Sequence, residues 1–207
     1  MFRSPSNVIV SQAEHGRMAG AIAAVWGLPQ PLPLESLVRG VTLHDRGYGE
    51  LDDDQIGVVE PERWVEIQRR GFSERSGDPA VDLVVALHIR RLIGDDEHPA
   101  RVALAREIDA ALPELREAAG LDEEEAQRAD GVTETCDRLS FVYCSGEAAA
   151  GEVRGIRYRY DGAETIALDP WPLAVPWLCG VVGGFAGDGY PARLVPVVEL
   201  FRIEPAE

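Results

Sequence analysis

The chain has 207 residues, of which 45% are apolar and 27% charged, with a formal net charge of −16 at pH 7. These proportions describe a globular protein with one substantial core, and no apolar run approaches the roughly 20 residues of a membrane-spanning helix. With 36 Asp and Glu against 20 Lys and Arg, the surface repels a phosphate backbone, so polymeric nucleic acid is not an expected partner. A small phosphate ester stays compatible, because a bound cation can reverse the local potential.

The N-terminus carries only a three-residue apolar run, Val8 to Val10, too short for a secretory leader, so a cytoplasmic protein without membrane association is expected. The three cysteines, Cys136, Cys144 and Cys179, form no CxxC pair and read as reduced, mostly buried thiols.

The first predicted helix runs from Ser11 to about Trp26. Ser11-Gln12-Ala13-Glu14 fits a capping box, and Gly27 with Pro29 supplies the stop. His15 lies one turn before Met18 on the apolar stripe Met18, Ile22, Val25, which aims its imidazole at the core. A second helix begins near Pro33 and carries Leu34, Leu37, Val38 and Val41, placing His44 and Asp45 at the end of its buried face before Gly47.

Tyr48 to Pro79 is rich in Asp, Gly, Pro and Glu, with Trp64 and Phe72 as isolated anchors. It reads as loops with a short helix at most, a candidate lid. Within it, Asp52-Asp53-Asp54 lacks the spacing of a calcium loop and reads as a solvated acidic turn.

A third amphipathic helix follows from Pro79 to about Ile93, with His88 on its apolar side among Val81, Val84, Val85 and Leu92. Two more helices span about Pro99 to Ala119 and Asp122 to Tyr143, the latter carrying Asp137. Beyond Gly146 the texture changes. The alternating run Val153 to Tyr160 ends at the Asp161-Gly162 turn, and Glu164 to Leu168 and Leu194 to Ile203 look similar. Asp169 to Pro191, dense in Pro and Gly, separates them.

The expected architecture is therefore mainly α: a helical bundle over residues 1–148, with a small antiparallel β-sheet over 149–207 packed on it. Trp171 and Trp177 are expected to pack that sheet on the helices.

Three of the four histidines, His15, His44 and His88, fall on apolar stripes of separate predicted helices. Burying an imidazole beside an aspartate is costly unless something satisfies both, and a divalent cation does so. For any one histidine alone, a core imidazole bonded to a backbone carbonyl is the plainer explanation.

The order His15, then His44-Asp45, then Asp137, with gaps of 29 and 92 residues, resembles the HD-domain metal-dependent phosphohydrolase superfamily. A closer resemblance is to an uncharacterised bacterial domain-of-unknown-function family, numbered 3891. It rests on Gln12-x-x-His15, Trp26-Gly27, His44-Asp45-x-Gly47, His88, Asp137-x-Leu139-Ser140 and Leu168-Asp169-Pro170-Trp171-Pro172. The first resemblance implies an HD-domain-like helical core in which His15, His44, Asp45 and Asp137 hold a divalent metal ion. Mn, Fe, Mg, Co, Ni and Zn are not distinguished.

The resemblance also gives Asp45 a catalytic part in orienting the attacking water. His88 has two readings there, as ligand of a second ion or as general acid toward the substrate. Gln12 and Arg46 are candidate substrate contacts, while His98, beside Pro99, is left outside the site. Gly189-Tyr190-Pro191 matches a signature of HD-type cyclic-dinucleotide phosphodiesterases but falls after the last Asp, among turn residues, and carries little weight. Cys136 beside Asp137 reads as a core thiol.

The expected function is a metal-dependent hydrolase of a small phosphorylated metabolite, such as a phosphate ester or nucleotide, acting through metal-activated water. The alternatives are a non-catalytic ligand-binding or regulatory module with a vestigial metal, and an iron-dependent oxygenase of HD-domain type. The reading leaves a homodimer open.

Overall fold

The computed structural model describes residues 1–49 and 59–206. Six α-helices occupy the described residues between two groups of strands. At the N-terminus come β1 (Phe2–Arg3) and β2 (Val8–Val10), then α1 (Gln12–Ala23), α2 (Leu34–Thr42) and a 3-10 turn, Arg46–Tyr48. α3 (Pro61–Ser73), α4 (Pro79–Ile93), α5 (Pro99–Ala119) and α6 (Glu123–Ser145) follow. The chain closes with β3 (Ala150–Val153), β4 (Ile156–Tyr160), β5 (Thr165–Asp169), β6 (Leu178–Ala186) and β7 (Pro196–Pro205).

Helix starts follow their capping chemistry. Ser11 accepts from the Glu14 amide at 3.1 Å at the head of α1, and Asp122 with Glu125 forms a reciprocal capping box on α6. The expected loop-rich stretch before Pro79 contains α3, a full helix of 13 residues. Its mean composition is polar, but Val65 and Phe72 are buried together with residues of α4 and α5. The Asp52-Asp53-Asp54 run lies outside the described residues.

The expectation of a helical bundle with a small C-terminal antiparallel sheet is overturned. The described residues form a seven-stranded sheet, in the order β1-β2-β6-β7-β5-β4-β3. It is mixed rather than antiparallel, since β5 runs parallel to β7, Thr165 facing Arg202 and Leu168 facing Pro205. Nor is it wholly C-terminal. Val8 and Ile9 pair with Ala186 and Phe185, so the short apolar run Val8–Val10 is a buried strand.

Two strand signals are masked by glycine. β6 lies inside the stretch read as irregular, and its Gly180 sits under the Phe201 ring, where a Cβ would meet ring carbon at 2.4 Å. Glycine here serves packing rather than a turn. The alternating run from Val153 to Tyr160 is two strands, because Arg154 and Gly155 both take positive φ, 49° and 79°, and reverse the chain.

One core cluster joins α1, α2 and α6 to the sheet through Met18, Ile22, Leu37, Val41, Leu139, Ile166, Phe201 and Ile203. The segment after β5 ties sheet to helices. Gly27 donates to the Pro172 carbonyl at 2.9 Å, and Ala174 donates to the Val25 carbonyl at 2.8 Å. The Trp171 indole is bonded locally to Val175. No helix among the described residues is long and apolar enough to cross a membrane.

Candidate metal centre

A close helix approach between α1 and α2 sets the site. Gly16 and Gly20 share one face of α1, and a Cβ on Gly16 would lie 2.4 Å from the Thr42 carbonyl oxygen. On Gly20 it would lie 2.0 Å from the Thr42 hydroxyl. The last turn of α2 therefore rests directly on the backbone of α1, and the residues just beyond it, His44 and Asp45, arrive beside His15. α2 ends at Thr42, two residues before His44, so this pair stands in the link to the 3-10 turn.

His88 comes from α4 and Asp137 from α6. All four metal-ligand candidates and His88 thus meet. His15, His44 and His88 are each 1% exposed, while the Asp45 and Asp137 side chains, at 11% and 17%, reach a cavity.

The tautomers follow from the partners. The His44 Nδ1 lies 2.6 Å from the Val41 carbonyl oxygen, which can only accept, so Nδ1 carries the hydrogen. The Ser140 hydroxyl donates its one proton to the Asp137 carbonyl at 3.0 Å. It therefore accepts from His15 Nδ1 at 2.9 Å. Both rings then direct Nε2 inward, and these two nitrogens are 3.1 Å apart. In neutral rings they would face each other as bare lone pairs, which is repulsive unless a cation lies between them.

The carboxylates complete the arrangement. Asp137 Oδ1 is 3.1 Å from His15 Nε2 and 3.5 Å from His44 Nε2. Asp45 Oδ2 lies 3.5 Å from His44 Nε2 and 3.8 Å from His15 Nε2. Ligands about 2.1 Å from one ion are separated by roughly 3.0 Å at right angles and 3.4 Å at tetrahedral angles. The donor set therefore fits a divalent cation in both spacing and chemistry, two imidazoles with two carboxylates.

Electrostatics agree with that fit. Burial opposes charge on His44, but Asp45 and Asp137 outweigh it and raise the imidazole to about 9. Burial likewise opposes charge on Asp137, yet hydrogen bonds from His15 and His44 hold its carboxyl well below the usual range. Asp45 is also lowered, burial again opposing and the charge of His44 prevailing. The pocket thus favours a positive charge between its carboxylates.

His88 differs from the other two imidazoles. Its Nδ1 is 3.2 Å from Arg91 Nη2, and its Nε2 is 3.4 Å from Asp45 Oδ1 without a hydrogen-bond partner. Burial, followed by the charge on His44, pushes its pKa down. A second donor group, His44, Asp45 and His88, overlaps the first.

The cavity, of about 270 Å³, is lined by Gln12, Asp45, Tyr48, His88, Asp137 and Arg138, with Phe2, Leu92 and Phe141 as its apolar wall. Larger hollows occur beside Glu14 and Phe185, about 480 Å³, and between Trp26 and Arg154, about 450 Å³. Neither is lined by any of the clustered imidazoles or carboxylates.

Arg46 is not brought to the cavity. Its guanidinium donates to the Gly71 carbonyl at 2.7 Å, to Asp82 at 3.1 Å and to the Glu74 carbonyl. It clamps the 3-10 turn to α3 and α4. His98 pairs with Glu62 at 3.4 Å, apart from the site. Cys136 is buried, and burial raises its thiol pKa. Tyr190 of the Gly-Tyr-Pro run reaches the Met1 sulfur, also apart from the site.

Besides Arg138, which lines the cavity, two supporting residues carry no assignment from sequence, Arg91 and Ser140. Their signal was helical spacing: each lies three positions after a site residue, His88 and Asp137, and so shares its face.

Ser140 gives a direct test. Ser140→Ala should weaken metal binding 10- to 100-fold by releasing His15 Nδ1, as loss of such supporting bonds typically does. Calorimetric titration with Mn²⁺ or Zn²⁺ measures it, and unchanged affinity would remove Ser140 from the site.

A family model described as "Protein of unknown function (DUF3891)" matches residues 3–178. No curated protein and no solved structure matches the chain.

Proposed function

The chain belongs to the DUF3891 family, whose description assigns no activity, and from the geometry of the site we propose that it is a metal-dependent hydrolase of a small phosphate ester. The observation that carries this reading is the pair of inward Nε2 atoms 3.1 Å apart, flanked by two carboxylates. In it, His15, His44, Asp45 and Asp137 hold one divalent ion. The order of those residues along the chain, shared with HD-domain phosphohydrolases, supports the same assignment.

When bound, such an ion acts as a Lewis acid and lowers the pKa of a water molecule. The residues supply the rest. Asp45 turns Oδ2 toward the two imidazoles and Oδ1 toward His88, so the second oxygen is placed to orient the attacking water. His88 lines the same cavity and is available to the substrate. Gln12 and Arg138 line the cavity, where an amide and a guanidinium suit phosphoryl oxygens. Arg46, fully engaged elsewhere, takes no part.

At about 270 Å³ the cavity falls just below the usual range of small-molecule sites, roughly 300 to 1,000 Å³. This favours a compact ester over a nucleotide. The two phenylalanines of the apolar wall suit a short organic group.

Protein purified without chelator or nickel should contain one divalent ion per chain by elemental analysis. Supplied with Mn²⁺, Mg²⁺, Co²⁺ or Fe²⁺, it should release phosphate from a panel of small monoesters. Asp45→Ala should abolish that release. An ion without turnover on any ester would leave a metal-binding module in place of an enzyme, and absence of any ion would defeat the proposal.

A further inference from the structure

Two overlapping donor groups, His15-His44-Asp137 and His44-Asp45-His88, leave open whether His88 is a ligand of a second ion, a proton donor, or neither. Arg91 decides this. It lies one turn after His88 on α4, with Nη2 3.2 Å from His88 Nδ1. Its Nε is 3.3 Å from both Asp130 carboxylate oxygens, which fixes the guanidinium against the imidazole.

We infer that Arg91 is a positioning residue that holds His88 as the neutral Nε2–H tautomer, a hydrogen-bond donor facing the cavity rather than a metal ligand.

The argument is two-sided. A guanidinium has only donors, so the His88 Nδ1 beside it must present a lone pair, and the ring hydrogen belongs on Nε2. That hydrogen faces Asp45 Oδ1 at 3.4 Å. The opposite tautomer would set Nδ1–H against the guanidinium hydrogens and the Nε2 lone pair against a carboxylate, unfavourable on both sides. The carboxylate that could compete for an Nδ1 hydrogen, Asp137, has its Oδ2 at 3.6 Å, beyond hydrogen-bond range.

Three consequences follow. With its hydrogen on Nε2, His88 offers no inward lone pair, so the site takes one ion rather than two; this part rests on the metal reading of the same site. With Arg91 on Nδ1, His88 is not an imidazolium either, so it does not act as a general acid. It stabilises charge developing on a substrate oxygen by donating a hydrogen bond it does not give up, as neutral imidazoles do at other electrophilic sites.

Histidine-labelled ¹⁵N spectra of the metal-free chain test the tautomer, with His88 assigned by its disappearance in His88→Gln. His88 should show Nε2–H, and His15 the opposite form. Arg91→Met should convert His88 toward Nδ1–H, and Arg91→Lys, which keeps a donor, should retain Nε2–H. Titrated with Zn²⁺, the natural chain should bind one ion and Arg91→Met two.

An Nδ1–H form of His88 in the natural chain would overturn the inference whether or not Arg91→Met folds, and so would two ions bound there. No ion in any variant, with the tautomers as expected, would support the positioning role while removing the metal reading, so the two failures are distinguishable.

Discussion

Replacing Asp137 with alanine is expected to abolish metal uptake and to lower the stability of the metal-free chain. Asp137 lies 3.1 Å from His15 and 3.5 Å from His44, and it also approaches Arg91 at 3.9 Å. Its removal takes away a ligand and one of the carboxylates that balance the positive side of a buried network. Truncating one member of such a network costs about 3 to 5 kcal/mol. Solvent reaching the carboxylate through the cavity puts the figure near the lower limit, about 3 kcal/mol.

For a domain of this size that corresponds to a drop in Tm of roughly 6 to 12 °C. Differential scanning calorimetry without metal and elemental analysis after metal loading measure the two effects. Retention of one ion per chain by Asp137→Ala would refute the ligand assignment.

The second large effect is expected from a single methyl group on a residue that supplies no ligand. Gly16→Ala would improve the intrinsic propensity of an isolated helix by about 1 kcal/mol. In this protein the sign reverses, because the new Cβ would stand 2.4 Å from the Thr42 carbonyl oxygen. Backbone cannot rotate aside as a side-chain tip does, so α1 and α2 must separate. Overpacking of this kind costs about 1 to 3 kcal/mol.

The functional consequence should be larger than the loss of stability. His15 is adjacent to Gly16 in α1, and His44 follows Thr42 by two residues, so the separation acts on the Nε2 pair itself. Metal affinity should fall at least 100-fold, read by titration with Zn²⁺ under conditions where calorimetry shows the variant folded. A folded Gly16→Ala chain with unaltered affinity would mean that the close helix approach does not set the site.

Much of the helical part follows from the sequence by itself. The Ser11 and Asp122 caps, the apolar stripes of α1 and α4, and the Pro and Gly stops are local signals. Local hydrogen bonding and 3.6-residue periodicity act within one turn, whatever the rest of the chain does. The candidate ligands were legible for the same reason: a histidine on an apolar stripe is incongruous without a partner, and His15, His44 and His88 are three such residues in a chain with four histidines.

Tertiary structure alone decided the sheet, the use of the glycines and the tautomers. Val8–Val10 becomes a strand because β6 supplies its partners, and a three-residue run cannot declare that. β6 reads as a turn region in sequence, yet Gly180 is there to admit the Phe201 ring. Arg46 is adjacent to the His-Asp pair but is directed to α3 and Asp82. Arg91, distant in sequence from every other site residue except His88, reaches the imidazole and Asp130. Strand pairing, close backbone approach and the partner of each ring nitrogen are relations between residues far apart in the chain, and only packing selects among the many a sequence permits.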